Sequence, residues 1–129
     1  DIDRVNFDDF SCLIFTGTCL ASEPSRSATF HAINKAKLNN IPIILDIDYR
    51  PYTWISSEEA SDVYMLASKS CDILIGNDDE FGVLAQNYDN SFLQAKDFFR
   101  EKKILKNEKI SSTNDLLNLA RKFNAENFL

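Results

Sequence analysis

Nine consecutive residues, Asp46-Ile47-Asp48-Tyr49-Arg50-Pro51-Tyr52-Thr53-Trp54, gather two carboxylates, a guanidinium, two tyrosines and the one tryptophan of the sequence. A guanidinium can grip a carboxylate or a phosphate through two parallel hydrogen bonds. Aromatic rings beside it would wall off a polar, sugar-sized ligand. The residue types leave a second arrangement equally open, in which Arg50 pairs with Asp46 or Asp48 while Tyr49, Tyr52 and Trp54 pack. Further on, Asn77-Asp78-Asp79-Glu80 has the pattern of a helix N-cap followed by an acidic first turn, which suits the helix dipole. Glu80 also offers hard oxygen of the kind Mg²⁺ prefers near nucleotide phosphates. Capping and metal binding are compatible, because a cap fixes the direction of the carboxylate.

Both segments follow short apolar runs. Cys12 to Phe15, Ile41 to Leu45 and Ile73 to Ile75 lack polar alternation and read as strands buried on both faces, as in a parallel sheet. Between them, a helix is expected from near Pro24 to about Leu38, with Ala28, Ala32, Ile33 and Ala36 inward. A second opens at Ser56, with Glu59 completing a capping box and Ala60, Val63, Tyr64 and Ala67 as its stripe. A third begins at Asp78 and turns Phe81 and Leu84 inward. Ser91 to Lys103 and Ser112 to Phe123 read as further helices, with a polar loop from Lys106 to Ser111, and Phe128-Leu129 as the start of a strand. Strands alternating with helices predict βαβ crossovers and an α/β fold. Ligands of such sheets bind beyond the carboxyl ends of the strands, where Thr16-Gly17-Thr18, Asp46 to Trp54 and Gly76 to Glu80 fall.

Composition narrows the field. The 129 residues fit one domain, with 44% hydrophobic and 26% charged residues. A net charge of −6 opposes nucleic acid as a partner. No apolar run approaches the roughly 18 to 20 residues that span a bilayer, and Asp1-Ile2-Asp3-Arg4 does not resemble a signal peptide; a cytoplasmic location and no membrane partner are expected. Cys12, Cys19 and Cys71 show no C-x-x-C spacing, and Cys12 and Cys71 read as buried thiols. His31 is the one histidine, which excludes a His-based triad within these residues and suits an exposed helix position.

Asp46 to Trp54 resembles the D-x-N/D-x-R-x-x-x-W segment of the PfkB sugar kinases. Its fuller form, D-I-D-Y-R-P-Y-x-W, is similar to the 5-dehydro-2-deoxygluconokinases of inositol catabolism. Asn77 to Phe81 matches that family's N-x-x-E motif. Thr16-Gly17-Thr18-Cys19-Leu20-Ala21 with Glu23-Pro24-Ser25-Arg26 is similar to a T-G-T-x-L-A and P-S-R stretch of the same group. N-x-x-E alone is a weak signal; three matches in order are specific together. They cover residues from about Phe10 to Phe81.

The resemblance implies a ribokinase-like three-layer α/β/α fold with a parallel central sheet, of which residues 1–129 form a central fragment without the N-terminal lid or the C-terminal catalytic part. It implies transfer of phosphate from ATP, with Mg²⁺, to a hydroxyl of a sugar acid, 5-dehydro-2-deoxy-D-gluconate. Arg50 and Asp48 would bind substrate, Asn77 and Glu80 would organise nucleotide phosphates, and Glu80 would hold Mg²⁺ through water. The family's G-A-G-D motif, which supplies the catalytic Asp, is not among these residues. With 3 Gly in the sequence there is no phosphate-cradling loop either. No catalytic residue is therefore assigned, and the fragment by itself is expected to be inactive. Related substrates, 2-dehydro-3-deoxygluconate or a ketohexose such as fructose, stay open, as does a non-catalytic α/β binding or interaction module. Missing sheet neighbours would leave apolar edges, so homo-oligomers or self-association are expected.

Overall fold

The structure, a computed structural model, describes residues 1–87 and the backbone of Lys103–Leu105. The three apolar runs form strands β1 (Leu13–Thr16), β2 (Ile43–Asp46) and β3 (Ile73–Gly76). They alternate with helices α1 (Ser25–Leu38), α2 (Ser57–Ser68) and α3 (Asp78–Ala85). A fourth strand, β4 (Lys103–Leu105), completes a sheet in the order β1-β2-β3-β4 with every pairing parallel.

The register decides which side chains share a face. Leu13 pairs with Ile43, Phe15 with Leu45 and Leu45 with Leu74. Phe15, Ile43, Leu45 and Leu74 join one buried cluster with Ala32, Ile33 and Ala36 of α1, Ala60, Tyr64, Met65 and Ala67 of α2, and Phe81 and Leu84 of α3. All three helices therefore cover one face. Ile44, Ile73 and Ile75 point the other way and form a second buried cluster, joined by half-buried Cys12. The architecture is three-layer α/β/α around a parallel sheet, with α1–α3 as one outer layer.

Helix ends follow from local chemistry. Pro24 occupies the cap position of α1 and offers no side-chain acceptor. The Glu23 carboxylate takes over, accepting from Ser27 N at 3.2 Å and Ser27 Oγ at 2.7 Å, and these bonds hold its pKa below the ordinary value. Past the other end, Asn40 adopts φ 54°, a left-handed conformation that asparagine tolerates. Ser56 Oγ accepts from Glu59 N at 3.1 Å as the expected cap of α2. The reciprocal arm differs: Glu59 Oε2 reaches Ile55 N at 3.3 Å, one residue before the cap. In α3, Asn77 and Glu80 form a complete capping box.

Three expectations change. Ala28 is exposed rather than part of the α1 stripe, and Cys12 is only half-buried because it lies at the entry to edge strand β1. The helix expected to run to Lys103 instead gives way to strand there: Leu74 pairs with Lys103, Ile75 with Ile104 and Gly76 with Leu105. Three residues carry too little local pattern to compete with a helical reading; pairing with β3, distant in sequence, makes the strand. The remainder of the Ser91–Lys103 helix, the Lys106–Ser111 loop, the Ser112–Phe123 helix and the Phe128–Leu129 strand lie outside the described residues. No described helix is long and apolar enough to cross a membrane.

Candidate functional site

Three chain segments leave the carboxyl ends of adjacent parallel strands at one edge. After β1 comes a tight turn, Gly17–Leu20. Gly17 is required there: a Cβ would collide with the Ile47 carbonyl oxygen and the Tyr64 ring and hydroxyl. The segments after β1 and β2 thus touch at Gly17. Thr16 Oγ1 lies 2.7 Å from Thr18 Oγ1, which ties this first turn together.

After β2 the chain continues through Ile47, fully buried, whose N–H donates to Ile75 O at 2.8 Å. Asp48 then turns outward at φ 40°, a left-handed conformation. Aspartate and asparagine adopt it more readily than most residues. The Asp48 carboxylate meets Arg50 Nη2 at 2.7 Å, with the Arg50 side chain 51% exposed. Pairing of Arg50 with Asp48 is therefore realised, yet half of the Arg50 side chain still faces solvent. The Asp48 side chain is only 23% exposed, so the pair is half-buried, with its arginine side toward solvent. Asp46, half-buried, lies on the sheet face of Ile75 rather than with Arg50.

The aromatic residues divide. Tyr49 contacts Tyr64 edge-on at 6.5 Å and Trp54 lies 5.2 Å from the Tyr64 ring, so both pack inward. Tyr52 is 84% exposed and stands free of this stack at the loop's crest. Tyr64 is the hub. Its hydroxyl donates to Ile47 O at 2.8 Å, just before the Asp48 turn. Burial raises its pKa well above the ordinary tyrosine value, with a smaller opposing effect from Trp54 and smaller reinforcing ones from the Glu80 and Asp48 charges. The Trp54 indole N–H is buried beside that hydroxyl without a well-aligned hydrogen bond.

After β3, Asn77 Oδ1 accepts from Glu80 N at 2.8 Å and Glu80 Oε2 accepts from Asn77 N at 3.0 Å. Glu80 is buried, whereas Asn77, Asp78 and Asp79 are exposed. A Cβ at Gly76 would lie 2.9 Å from Ile47 Cδ1 and 3.2 Å from Glu80 Oε2. Gly76 is thus where the post-β2 and post-β3 segments close on each other. Adjacency of the two strands brings the Arg50 and Glu80 segments to one rim; Arg50 itself points outward with Asp48 while Glu80 folds back on its cap. Among the described residues, no group of three or more His, Cys, Asp or Glu side chains gathers as a metal cage. The first turn of α3 carries three carboxylates, Asp78, Asp79 and Glu80, oxygen donors of the kind a hard divalent cation prefers.

Two residues at this rim escaped sequence reasoning. Tyr64 was expected only to fill a helix stripe, although a buried tyrosine hydroxyl needs a partner. Arg26 stands in the first turn of a helix, where the dipole disfavours a cation. That unfavourable placement was the available signal of a tertiary partner, and the partner is Glu59.

No family model matches the chain. A 5-dehydro-2-deoxygluconokinase of Geobacillus thermodenitrificans is 45% identical over 86 residues, 67% of this chain and 26% of that protein. The chain spans about a quarter of the length of the curated relatives it matches. Among solved structures, the fructokinase of Xylella fastidiosa with bound ATP superimposes with a TM-score of 0.64 at 13% identity, over 79% of this chain and 33% of that one. A PfkB protein of Polaromonas sp. JS666 gives 0.61 at 12% identity, over 81% and 38%. The fold is thus part of a ribokinase-like α/β/α domain. The chain belongs to the PfkB/ribokinase-like carbohydrate kinase family, matched over part of the family domain.

Proposed function

We propose that these residues are the central part of an ATP-dependent sugar-acid kinase that phosphorylates 5-dehydro-2-deoxy-D-gluconate. The observation that carries this reading is the shared rim: the half-exposed Arg50–Asp48 pair and the Asn77–Glu80 cap follow neighbouring parallel strands whose segments meet at Gly76. The similarity to proteins named 5-dehydro-2-deoxygluconokinase supports the choice of acceptor.

In this reading Arg50 binds the carboxylate of the sugar acid and thereby orients it, with Asp48 fixing the direction of the guanidinium. Asn77 and Glu80 face the phosphate side. Mg²⁺, when bound, neutralises phosphate charge. The residues of this chain position and neutralise; none is assigned to deprotonate the acceptor hydroxyl, and the 129-residue polypeptide alone is expected to give no turnover.

The full-length protein, supplied with ATP, Mg²⁺ and a panel of 5-dehydro-2-deoxygluconate, 2-dehydro-3-deoxygluconate and fructose, tests the proposal. It is supported by preferential turnover of the first acid. Arg50→Ala should raise the KM for the acid with little change in that for ATP. Preference for fructose would sink the assignment of a carboxylate to Arg50. Absence of any nucleotide binding would favour a non-catalytic module.

A further inference from the structure

Arg26 joins parts of the chain that are distant in sequence. Its Nε donates to Leu20 O at 2.6 Å, and its Nη2 donates to Ala21 O at 2.8 Å and to Glu59 Oε1 at 3.0 Å. The guanidinium carbon stands 5.6 Å over the Trp54 ring, within cation–π range. One side chain, 24% exposed, therefore joins four segments: the post-β1 turn, α1, the first turn of α2, and the end of the loop that follows β2. The other Glu59 oxygen takes the Ile55 N–H at 3.3 Å, so the restraint extends one residue beyond Trp54.

The same loop is fixed separately at its beginning. Tyr64 holds the Ile47 carbonyl and β3 holds the Ile47 N–H. Between these two anchors Asp48 to Thr53 rises from the rim, with Arg50 half-exposed and Tyr52 almost fully so. A loop pinned at both ends presents its crest at a set place, which lowers the ordering cost of binding.

We infer that Arg26 is a positioning residue for acceptor recognition: by pinning Trp54 and the start of α2, it sets where Arg50 meets the carboxylate of the sugar acid. This rests on the assignment of Arg50 made above. Arg26 touches no substrate; it acts through the loop. Lysine cannot replace it, because a point charge lacks the planar fork that serves two carbonyls, a carboxylate and a ring face at once.

The test uses the full-length protein with Arg26→Lys and Arg26→Met, following kcat, both KM values, and hydrogen exchange of residues 47–56 without ligand. The KM for the sugar acid should rise roughly ten- to hundredfold, with the KM for ATP unchanged. Exchange should accelerate in 47–56 but not in 73–85. A parallel rise of both KM values, an unchanged acid KM, or acceleration throughout the chain would overturn the inference. Should Arg26→Met fail to fold, Arg26→Lys carries the test. Should the wild-type protein phosphorylate no sugar acid, the functional reading fails by itself. The exchange pattern then decides the pin: local acceleration upholds it, and none refutes it.

Discussion

The segments after β2 and β3 sit side by side yet are held in opposite ways. The Asn77–Glu80 segment is locally self-contained at its cap: two reciprocal hydrogen bonds between residues three apart set its shape, in a helix whose acidic start suits its dipole. The Asp46–Trp54 segment has local bonds too, Thr53 N and Oγ1 donating to Arg50 O at 3.0 and 2.8 Å and Trp54 N to Pro51 O at 3.3 Å, but these shape its crest and do not tie it to the sheet or the helices. Its anchorage is imposed from outside, by Tyr64 of α2, by the β3 backbone and by Arg26 of α1 acting through Trp54 and Glu59. A local device keeps its shape wherever its few residues fold, whereas an imposed one depends on the packing of the whole helical layer.

The largest expected effect breaks the imposed segment. Tyr64→Ala removes a fully buried ring and should cost about 3 to 5 kcal/mol, measured by denaturant unfolding of the full-length protein. A loss no greater than at an exposed position would deny Tyr64 its role as hub. Gly17→Ala comes next. Its Cβ meets a backbone carbonyl and the Tyr64 hydroxyl, neither of which can move freely, so a cost of roughly 1 to 3 kcal/mol is expected, with faster exchange in residues 47–56.

Tyr64→Phe isolates the hydroxyl. It leaves the Ile47 carbonyl without its tyrosine donor at a cost of about 1 to 3 kcal/mol. It should also remove a pH dependence. Because burial raises the folded-state pKa of Tyr64, its contribution is complete below the ordinary value of 10.0 and is lost as pH rises from there toward the folded value. Wild-type stability should therefore fall above pH 10.0 more steeply than that of the phenylalanine variant; parallel alkaline profiles would contradict this.

Asn77→Ala sharpens the contrast from the local side. Loss of the cap should cost about 1 kcal/mol and quicken exchange only at the start of α3. Spread of that effect to residues 47–56 would show that the two segments are not independently held. The smallest effect lies far from the rim. Asp3 is held below its ordinary pKa of 3.8 chiefly by the hydrogen bond from His31, then by Lys35. Its contribution is present above pH 3.8 and fades as pH falls through the lower folded value. A proton titration of Asp3 by NMR should give a midpoint below that of an unfolded peptide, and Lys35→Met should raise it.

The same division explains what was legible beforehand. Strands β1–β3, the starts of α2 and α3, and the Asn77–Glu80 cap follow from patterns a few residues long, because apolar runs and capping residues act on their immediate neighbours. Strand β4 was not foreseen, Lys103 being read as the last residue of a helix and Ile104-Leu105 as no element, since these three residues become a strand only by pairing with β3. Arg50 was recognised as a binding candidate but its partner was not decidable: Asp46 and Asp48 stand four and two residues before it, and a long arginine side chain can reach either. The left-handed turn at Asp48 and the strand register chose Asp48 and left Asp46 on the sheet face.

By itself, then, the sequence determined an alternating α/β order and the two chemical segments at strand ends, since periodicity, caps and motif spacing are written in neighbouring residues. Only the tertiary structure decided that Arg26, Glu59, Trp54 and Tyr64, drawn from 39 positions of chain between Arg26 and Tyr64 inclusive, converge to hold one loop. The energy of such a convergence resides in contacts between elements, and no short stretch of residues encodes which of them will meet.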